Sequence, residues 1–343
     1  LGPIRTKETN DDSSSSGVRS ENNCKKPLLS RKLTMRKSRL FISLVALLLL
    51  STLFFHHYRI EGLDQLRLER RGDVLLQAEA GLPRSSRDSI RIATFNLQVF
   101  GRTKSGTPGI MKDLARIGRQ FDVIALQEIC GPGQDAVALL LEEMNRDGSQ
   151  YDYLLSQPRG SSAFKQQFGF IFDRRLITAD RPRCCSIEDP DALFEHPPFV
   201  GYFQVQPELC SSPFQFTLVN VQINPENQHA ELELMDEVYS LIWNHGNGED
   251  DVIMLGDFQA DSATLKSILG PTKMIPVLAE ETLTNTRLSK QVGNILIHSE
   301  ATAEFTGSAD TFRFMRRYNL SLQEALAISD HLPVWAEFQL AEK

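Results

Sequence analysis

The chain has 343 residues, 41% of them hydrophobic and 24% charged, a composition typical of a globular protein with one large core or two small ones. Its formal net charge of −7 excludes a protein that binds nucleic acid through an overall basic field, although it leaves room for a local basic groove. The five cysteines are too sparse for a disulfide scaffold and lack the CxxC spacing of a zinc site. Two interpretations stay open for the adjacent pair: if the globular part is exported, Cys184 or Cys185 forms a bridge with Cys210, or the pair are simply buried thiols.

The first 88 residues predict three segments ahead of the globular part. Residues 1–39 are a basic segment rich in Ser and Asn, which indicates disorder, and the basic stretch from Met35 suggests that residues 1–34 are an extension of the coding sequence. Leu40–Phe55 is an uncharged apolar run, which predicts a transmembrane signal anchor or a cleaved signal peptide. Its basic flank predicts that the rest of the protein faces outward, and the missing cleavage site favours an anchor over secretion. Residues 56–88 are interpreted as a charged stalk or linker.

From Ser89 onward, strand-like and helix-like segments alternate. Helical patterns cover Pro108–Gln120, Asp135–Asn145 and Asn227–His245. The strand-like segments are IRIATFNLQVF, DVIALQEI, YDYLLSQ, FGFIFD, PFQFTLVNVQI, DVIMLGDF, VGNILIH and LPVWAEFQL, with one more strand signal within ALAISDHLPV at residues 325–334. Several of these strands are joined closely enough to be antiparallel. The order predicts a sandwich of mixed sheets flanked by helices over residues 89–343.

Polar residues that suit metal chemistry stand where these strands end. They are Asn96, Glu128 and Asp257, together with the adjacent pair Asp330 and His331. Carboxylate and amide oxygens are ligands that hard cations such as Mg²⁺ prefer, and an imidazole beside them can move a proton. The Asp330–His331 pair alone is typical of a solvated turn. Since strand ends can converge on one rim of a layered fold, the set together predicts a site.

The motifs TFNLQVFG, LQE, GDFQAD and ISDHLP, in this order and spacing, resemble those of the endonuclease/exonuclease/phosphatase superfamily. The resemblance is closer to the deoxyribonuclease I family, because it extends to FNLQVFGRTK, YDYLLSQPRG and EALAISDHLP and covers nearly all of residues 90–340. It implies an α+β fold, a four-layer α/β/β/α sandwich of two packed mixed sheets, and metal-dependent hydrolysis of DNA phosphodiester bonds. It also implies Mg²⁺ as the cofactor, with Mn²⁺ or Ca²⁺ as alternatives. The residues that it assigns to the metal and phosphate shell are Asn96, Glu128, Asp257 and Asp330, and it makes His331 one of two catalytic imidazoles beside Asp257 and Asp330.

Four positions depart from the pattern that the resemblance implies. The other catalytic histidine is replaced by Gln222, and its acidic partner aligns with Gln166. The amide expected two residues after the GD aspartate is the longer Gln259, and Gly293 stands where an acid would orient His331. Because glutamine cannot titrate, the resemblance implies an active site with impaired chemistry.

The chain also has fewer of the DNA-contacting side chains than the family pattern implies. Cys130 and Phe164 stand where the family presents an arginine and a tyrosine to the minor groove, and losing the arginine is expected to weaken binding. The basic side chains that remain as candidates for phosphate contacts are Arg102, Lys104, Arg159 and Lys165. The densest basic patch, with Arg313, Arg316 and Arg317, either touches a polyanion or is a solvated face.

Three hypotheses for function follow from the sequence. The first is an outward-facing, membrane-anchored endonuclease of deoxyribonuclease I type with slowed chemistry. The second is a catalytically inactive protein that binds nucleic acid or a partner on the same fold. The third is a phosphoesterase acting on a lipid or small phosphate ester, which the membrane segment suggests and the deoxyribonuclease-like motifs oppose.

Overall fold

A computed structural model of the chain describes residues 88–131, 134–160, 165–245 and 250–343. The predicted N-terminal segment, membrane segment and stalk lie outside the described residues, apart from Asp88. Across the described ranges, no helix combines the length and the apolar character needed to cross a bilayer.

Two mixed sheets form the centre of the domain. The first has the strand order β12-β13-β1-β2-β4-β3. Its strands are β1 (Ser89–Phe100), β2 (Val123–Cys130), β3 (Tyr151–Leu155), β4 (Gln166–Asp173), β12 (Phe305–Thr311) and β13 (Val334–Gln339). Strands β1 and β2 run parallel, whereas β13 is antiparallel to β1 and β4 is antiparallel to β2.

The second sheet has the order β10-β11-β9-β8-β7-β5, with β6 paired to β7. Its strands are β5 (Ile177–Ala179), β6 (Cys185–Ser186), β7 (Phe199–Val205), β8 (Gln215–Gln222), β9 (Val252–Asp257), β10 (Met274–Pro276) and β11 (Gly293–His298). Here β8 and β9 are the parallel pair. Each sheet therefore has a central pair of strands that end at the same edge, and the site residues lie at those edges.

Helices cover the outer face of each sheet. They are α1 (Arg102–Ser105), α2 (Pro108–Gly118), α3 (Gln134–Asn145), α4 (Gln228–His245), α5 (Ser262–Leu269), α6 (Phe314–Arg317) and α7 (Leu322–Ile328), with a 3₁₀ turn at Gly270–Thr272. The three helices predicted from the sequence are confirmed as α2, α3 and α4 to within two residues at each end.

Alternation along the strands separates the apolar residues into three layers. In β1, Ile90 and Ile92 enter the core between the sheets, whereas Phe95 and Leu97 join a second core under α2, α3 and α7. The third core lies between the other sheet and α4 and α5. Because a strand points successive side chains to opposite faces, a sheet buried on both sides needs apolar residues on both. The four-layer α/β/β/α sandwich is confirmed.

One predicted strand signal is wrong. The run Ala325–Ile328 belongs to helix α7, and the strand begins only at Val334. The helix starts at a capping box, in which the Ser321 side chain accepts from the Glu324 N–H and the Glu324 carboxylate accepts from the Ser321 N–H. Four apolar residues are too few to distinguish strand from helix by their period alone, and the capping signal decides for the helix.

The disulfide interpretation is also wrong in this structure, because Cys184, Cys185 and Cys210 are free thiols. The Cys184 and Cys210 thiols donate instead to the backbone carbonyls of Asp180 and Leu340, at 3.2 and 3.3 Å. Both side chains pack against the core between the sheets. The alternative of buried thiols is also not met in full, because Cys184 and Cys210 are only partly buried and Cys185 is exposed.

Candidate active site

Asn96 links two carboxylates that come from different sheets. Its Nδ2 donates to Oε1 of Glu128 at 2.8 Å and to Oδ2 of Asp257 at 3.0 Å. Asn96 and Glu128 lie on the parallel strands β1 and β2, and Asp257 is the last residue of β9 in the opposite sheet. Asn96 and Asp257 are 3% and 2% exposed, so one buried amide fixes the separation of both acids. Three of the predicted residues therefore meet in one place.

The chain after Asn96 adopts an unusual turn that completes this corner. Gln98 and Val99 are both in the left-handed region, with φ of 48° and 57°. The turn directs the Val99 N–H to Oε2 of Glu128, at 2.9 Å, and lets Oε1 of Gln98 accept from the Asp330 N–H, at 3.1 Å. A β-branched residue at positive φ is strained, and such strain is kept where the surrounding structure requires it. Here the turn at Gln98 and Val99 connects Glu128 and the loop of Asp330 to the end of β1.

His331 faces two of the carboxylates. Its Nε2 lies 3.6 Å from Oδ2 of Asp257 and 3.7 Å from Oδ1 of Asp330, and its side chain is 13% exposed. The Ser329 hydroxyl accepts from the His331 N–H at 3.0 Å and donates to the Asn96 carbonyl at 2.7 Å. The serine of the ISDHLP motif thereby binds the end of β1 to the histidine. All five residues predicted for the metal and catalytic set thus converge on one corner.

The donors at this corner suit a hard divalent cation. Glu128, Asp257 and Asp330 offer carboxylate oxygens, which Mg²⁺, Mn²⁺ and Ca²⁺ prefer. Oδ1 of Asp330 is buried and has no hydrogen-bond partner, as expected of an oxygen kept for a ligand. The Asn96 amide orients the acids through its nitrogen, while its oxygen accepts from the Gln98 N–H at 2.8 Å. The residues present therefore fit a cation, with Asn96 in a positioning role.

Three of the four departures from the family pattern border the same corner. Nε2 of Gln222 lies 3.4 Å from Oε1 of Glu128, and Gln259 donates through Nε2 to both oxygens of Asp257, at 2.9 and 2.8 Å. Gly293 is in register with Asp257 on the neighbouring strand. The geometry places non-titrating groups at each of these positions, so the corner has one imidazole facing its carboxylates among the described residues.

Gln166 and Gln222 border one small cavity, with no room for a water molecule, together with Ser156 and His196. Oε1 of Gln166 is buried there without a hydrogen-bond partner. The pairing that the resemblance implied for these two positions is therefore kept in space, although neither side chain titrates. His196 was not anticipated at this cavity, and burial lowers its pKa below the usual value, against the charge of Glu195, which favours the neutral imidazole.

Lys104 has a different position from the one expected of a phosphate contact. Its ammonium donates to the carbonyls of Leu97, Gln98 and Ile328, at 2.7, 2.6 and 2.8 Å. An ammonium has three protons, so these bonds occupy all of them. Burial lowers the pKa of Lys104 to about 8, against the opposing charges of Asp330 and Glu128. Lys104 ties the strained turn to the end of α7 beneath the site.

The other basic candidates remain at the surface. Arg102, Arg159 and Lys165 are exposed, and the last two border a groove of about 470 Å³ that also includes acidic side chains. Cys130 is buried, where burial raises its pKa to about 11, and Phe164 lies outside the described residues. The phosphate contacts predicted for Arg102, Arg159 and Lys165 stay predictions.

A buried pair of hydrogen-bonded amides, Gln127 and Asn220, connects the two sheets next to the site. The sequence analysis did not identify it. Nε2 of Gln127 donates to Oδ1 of Asn220 at 2.6 Å, and Nδ2 of Asn220 donates to the carbonyls of Leu126 and Gly169, both at 3.1 Å. Both amides are fully buried. The signal was present as a polar residue inside each apolar strand run, one position before Glu128 and two before Gln222.

Comparison with known proteins identifies the family. No family model matches the chain. Deoxyribonuclease-1-like 1 of Cricetulus griseus is 30% identical over 267 residues, covering 74% of this chain and 85% of its own, and deoxyribonuclease-1 of Bos taurus is 30% identical over 278 residues, covering 76% and 95%. The fold matches an endonuclease/exonuclease/phosphatase family protein from Bacteroides thetaiotaomicron, with a TM-score of 0.52, 14% identity and coverage of 74% and 98%. It also matches the human Nocturnin catalytic domain, with a TM-score of 0.52, 15% identity and coverage of 75% and 96%. With relatives at this identity spanning most of both chains, the chain belongs to the deoxyribonuclease I family, and its fold is that of endonuclease/exonuclease/phosphatase proteins.

Proposed function

We propose that this chain is a metal-dependent hydrolase of DNA phosphodiester bonds whose turnover is slow. The observation that carries the proposal is the convergence of Asn96, Glu128, Asp257, Asp330 and His331 on one corner, with Asn96 bonded to carboxylates from both sheets. The deoxyribonuclease relatives supply the substrate class. An inactive scaffold has no need of this complete set.

Each residue has a defined part in this proposal. The carboxylates of Glu128, Asp257 and Asp330 would hold a divalent cation, which would supply stabilisation of negative charge on the phosphate. His331 presents Nε2 toward the carboxylates, where it takes a proton from the attacking water. Gln222 donates an amide N–H toward a phosphate oxygen. The carboxylates and amide donors are held by mutual hydrogen bonds, so the site needs little reorganisation before reaction.

Turnover is slow in this proposal because the second proton transfer, to the departing oxygen, has no side chain to supply the proton. An amide neither gives nor takes a proton near neutral pH, so Gln222 leaves the departing oxygen to be protonated by solvent. Losing one general acid lowers the rate by roughly 10²–10⁴-fold. Gln166 cannot orient a base in its place, and Gly293 offers His331 no carboxylate. Since residues that act as one unit fail as one unit, these losses do not multiply.

A second candidate function is binding without hydrolysis. The observation that favours it is the joint replacement of both partners at the cavity of Gln166 and Gln222. In this alternative the exposed Arg102, Arg159 and Lys165 bind DNA or another phosphodiester without cutting it, and a cation held by the carboxylates would add a further phosphate contact. The third hypothesis, a lipid phosphoesterase, has no support from the deoxyribonuclease relatives.

The test is nicking of supercoiled plasmid by the full chain, purified in detergent, with MgCl₂ or with EDTA. We expect slow nicking with Mg²⁺ and none with EDTA. His331→Ala should remove the residual activity, by roughly 10²-fold or more. His229→Ala is the matched control, because His229 is an exposed imidazole on α4.

Two outcomes would decide against hydrolysis at this corner. Nicking that persists at the same rate in His331→Ala would come from elsewhere or from a contaminant. Absence of nicking at any protein concentration, combined with magnesium-dependent retention of the plasmid in a filter-binding assay, would select the binding function.

The same proposal includes an outward-facing, membrane-anchored location, predicted from the apolar run 40–55 and its basic flank. A protease added to intact cells that express the chain with a C-terminal tag should then remove the tag. A tag that is digested only after permeabilisation would reject this orientation, and the tagged domain appearing in the medium would indicate cleavage and secretion.

A further inference from the structure

Three carboxylates meet at the end of the sandwich remote from the candidate active site. One oxygen from each of Asp251, Glu304 and Glu342 lies within 4.8 Å of the others. Asp251 directly precedes β9, and Asp257 ends that strand. A strand rises about 3.3 Å per residue, so roughly 20 Å separates this cluster from the corner described above. The cluster is therefore independent of the phosphodiester site.

Glu304, a member of this cluster, has one buried carboxylate oxygen without a hydrogen-bond partner. The residue is 1% exposed, and its Oε1 accepts from the Lys343 N–H at 2.7 Å. Its Oε2 is buried and has no hydrogen-bond partner. A buried carboxylate is costly unless it is paired or coordinates a metal, so this oxygen calls for a ligand.

Glu342 adds a second negative charge at the same place. Its Oε1 accepts from the Gln215 N–H at 2.6 Å. Burial raises the pKa of Glu342, and the charges of Glu304 and Asp250 add to that rise, against the Gln215 hydrogen bond. Neither glutamate forms an ion pair with a side chain of the described residues, and the Lys343 ammonium donates to the Ala303 carbonyl at 2.9 Å. The repulsion between the Glu304 and Glu342 carboxylates is therefore left for a bound ion or a proton to neutralise.

We propose that Asp251, Glu304 and Glu342 bind a hard divalent cation, with Ca²⁺ as the ion of best fit. Calcium takes oxygen ligands at about 2.3–2.6 Å, so oxygens up to about 4.8 Å apart can contact the same ion. The three residues come from the start of β9 in one sheet, the turn before β12 in the other, and the segment after β13. The cation thus joins both sheets to the C-terminal segment, and its role is to stabilise the domain.

The test is calcium binding by isothermal titration calorimetry, with thermal unfolding in CaCl₂ and in EDTA, on the full chain in detergent. Glu304→Gln and Glu342→Gln should each lose one equivalent of calcium relative to the wild type, and Asp257→Asn should keep that equivalent. Calcium at a hundredfold excess over the Kd of this cluster should add roughly 5–10 °C to the wild-type Tm, and the two glutamine variants should lack that addition and keep only the rise caused by calcium at the Asp257 corner. Glu237→Gln, on the exposed face of α4, is the charge-matched control.

The same variants show whether the charges of Glu304 and Glu342 are neutralised by a bound cation or by a proton that the two carboxylates share. Glu304→Gln removes a buried charge, so its Tm in EDTA should equal or exceed that of the wild type. If it does not fold, the half-buried Glu342→Gln carries the same test. The proposal is overturned if both variants bind as many equivalents of calcium as the wild type, or if calcium shifts their Tm as much.

Discussion

Gln222 and Asp257 are register partners at the ends of the parallel strands β8 and β9. Gly293 of β11 is in register with the same Asp257 from its other side. Two of the positions at which the chain departs from its family therefore flank one carboxylate, and a third, Gln166, shares a cavity with Gln222. The departures lie in one connected region, which is why they are expected to act together.

Restoring titratable groups at these positions should raise hydrolysis. We expect Gln222→His with Gln166→Glu and Gly293→Asp to increase plasmid nicking by roughly 10²-fold, because a general acid is supplied for the leaving oxygen. A Cβ at Gly293 meets nothing closer than the Gly256 carbonyl oxygen at 3.4 Å, so a side chain can begin there. The initial rate of nicking as a function of pH is the measurement, and the variant should gain a dependence near the pKa of an imidazole.

Gln215→His is the matched control for this experiment, since Gln215 is exposed at the opposite end of the same strand. It should leave the rate unchanged. Equal rates in the triple variant and the wild type would mean that the missing pair does not limit turnover.

Much of the fold could be predicted because its signals are local. The helices α2, α3 and α4 have amphipathic repeats several turns long, and the central strands are long apolar runs. The short elements α1 and α6 have too few residues for a period to be measured. The edge strand β12, FTGSADT, has little apolar content, so its pairing with β13 is a tertiary effect.

The candidate site could be predicted only as a set of residue types at strand ends. Nothing in the residues themselves indicated that Lys104 would turn inward to three carbonyls, because an exposed and a buried lysine look alike in a sequence. The left-handed turn at Gln98 and Val99 is likewise a consequence of contacts with Glu128 and Asp330. Such contacts join residues that are distant along the chain, and only the packed sheets reveal them.

Gly256 should tolerate no side chain, in contrast to Gly293. A Cβ at Gly256 would lie 1.9 Å from the Val221 carbonyl oxygen, which requires the strands β8 and β9 to separate beside Asp257. We expect Gly256→Ala to lower the free energy of unfolding by about 3 kcal/mol or more and to reduce nicking. Urea unfolding followed by tryptophan fluorescence measures the first effect. Gly293→Ala is the control and should stay within about 1 kcal/mol of the wild type; equal losses in the two variants would contradict this contact.

Asn220→Ala should destabilise the domain by about 3 kcal/mol, because it removes the acceptor of one of the two Gln127 hydrogen bonds and the side-chain donor to the Leu126 and Gly169 carbonyls inside the core. Urea unfolding provides the measurement, and Gln215→Ala on the same strand is the exposed control. A loss below about 1 kcal/mol would show that the link between the sheets contributes little.

Lys104 should make stability depend on alkaline pH. Its pKa is lowered to about 8 in the folded state by burial, from an ordinary value near 10.5. Above pH 10.5 the amine is neutral in both states. As the pH falls from 10.5 toward 8, the unfolded chain takes up a proton before the folded one, so this group's contribution to stability falls with it. The difference in free energy of unfolding between wild type and Lys104→Met should therefore favour the wild type more at pH 9.5 than at pH 7.5.

Urea unfolding at both pH values measures this difference. Comparing the two proteins at the same pH cancels the titration of Cys130 and the buried tyrosines. Lys112→Met, at an exposed position on α2, should show no such change. A difference that is independent of pH, or that favours the wild type more at pH 7.5, would mean that the three carbonyl hydrogen bonds outweigh the effect of burial.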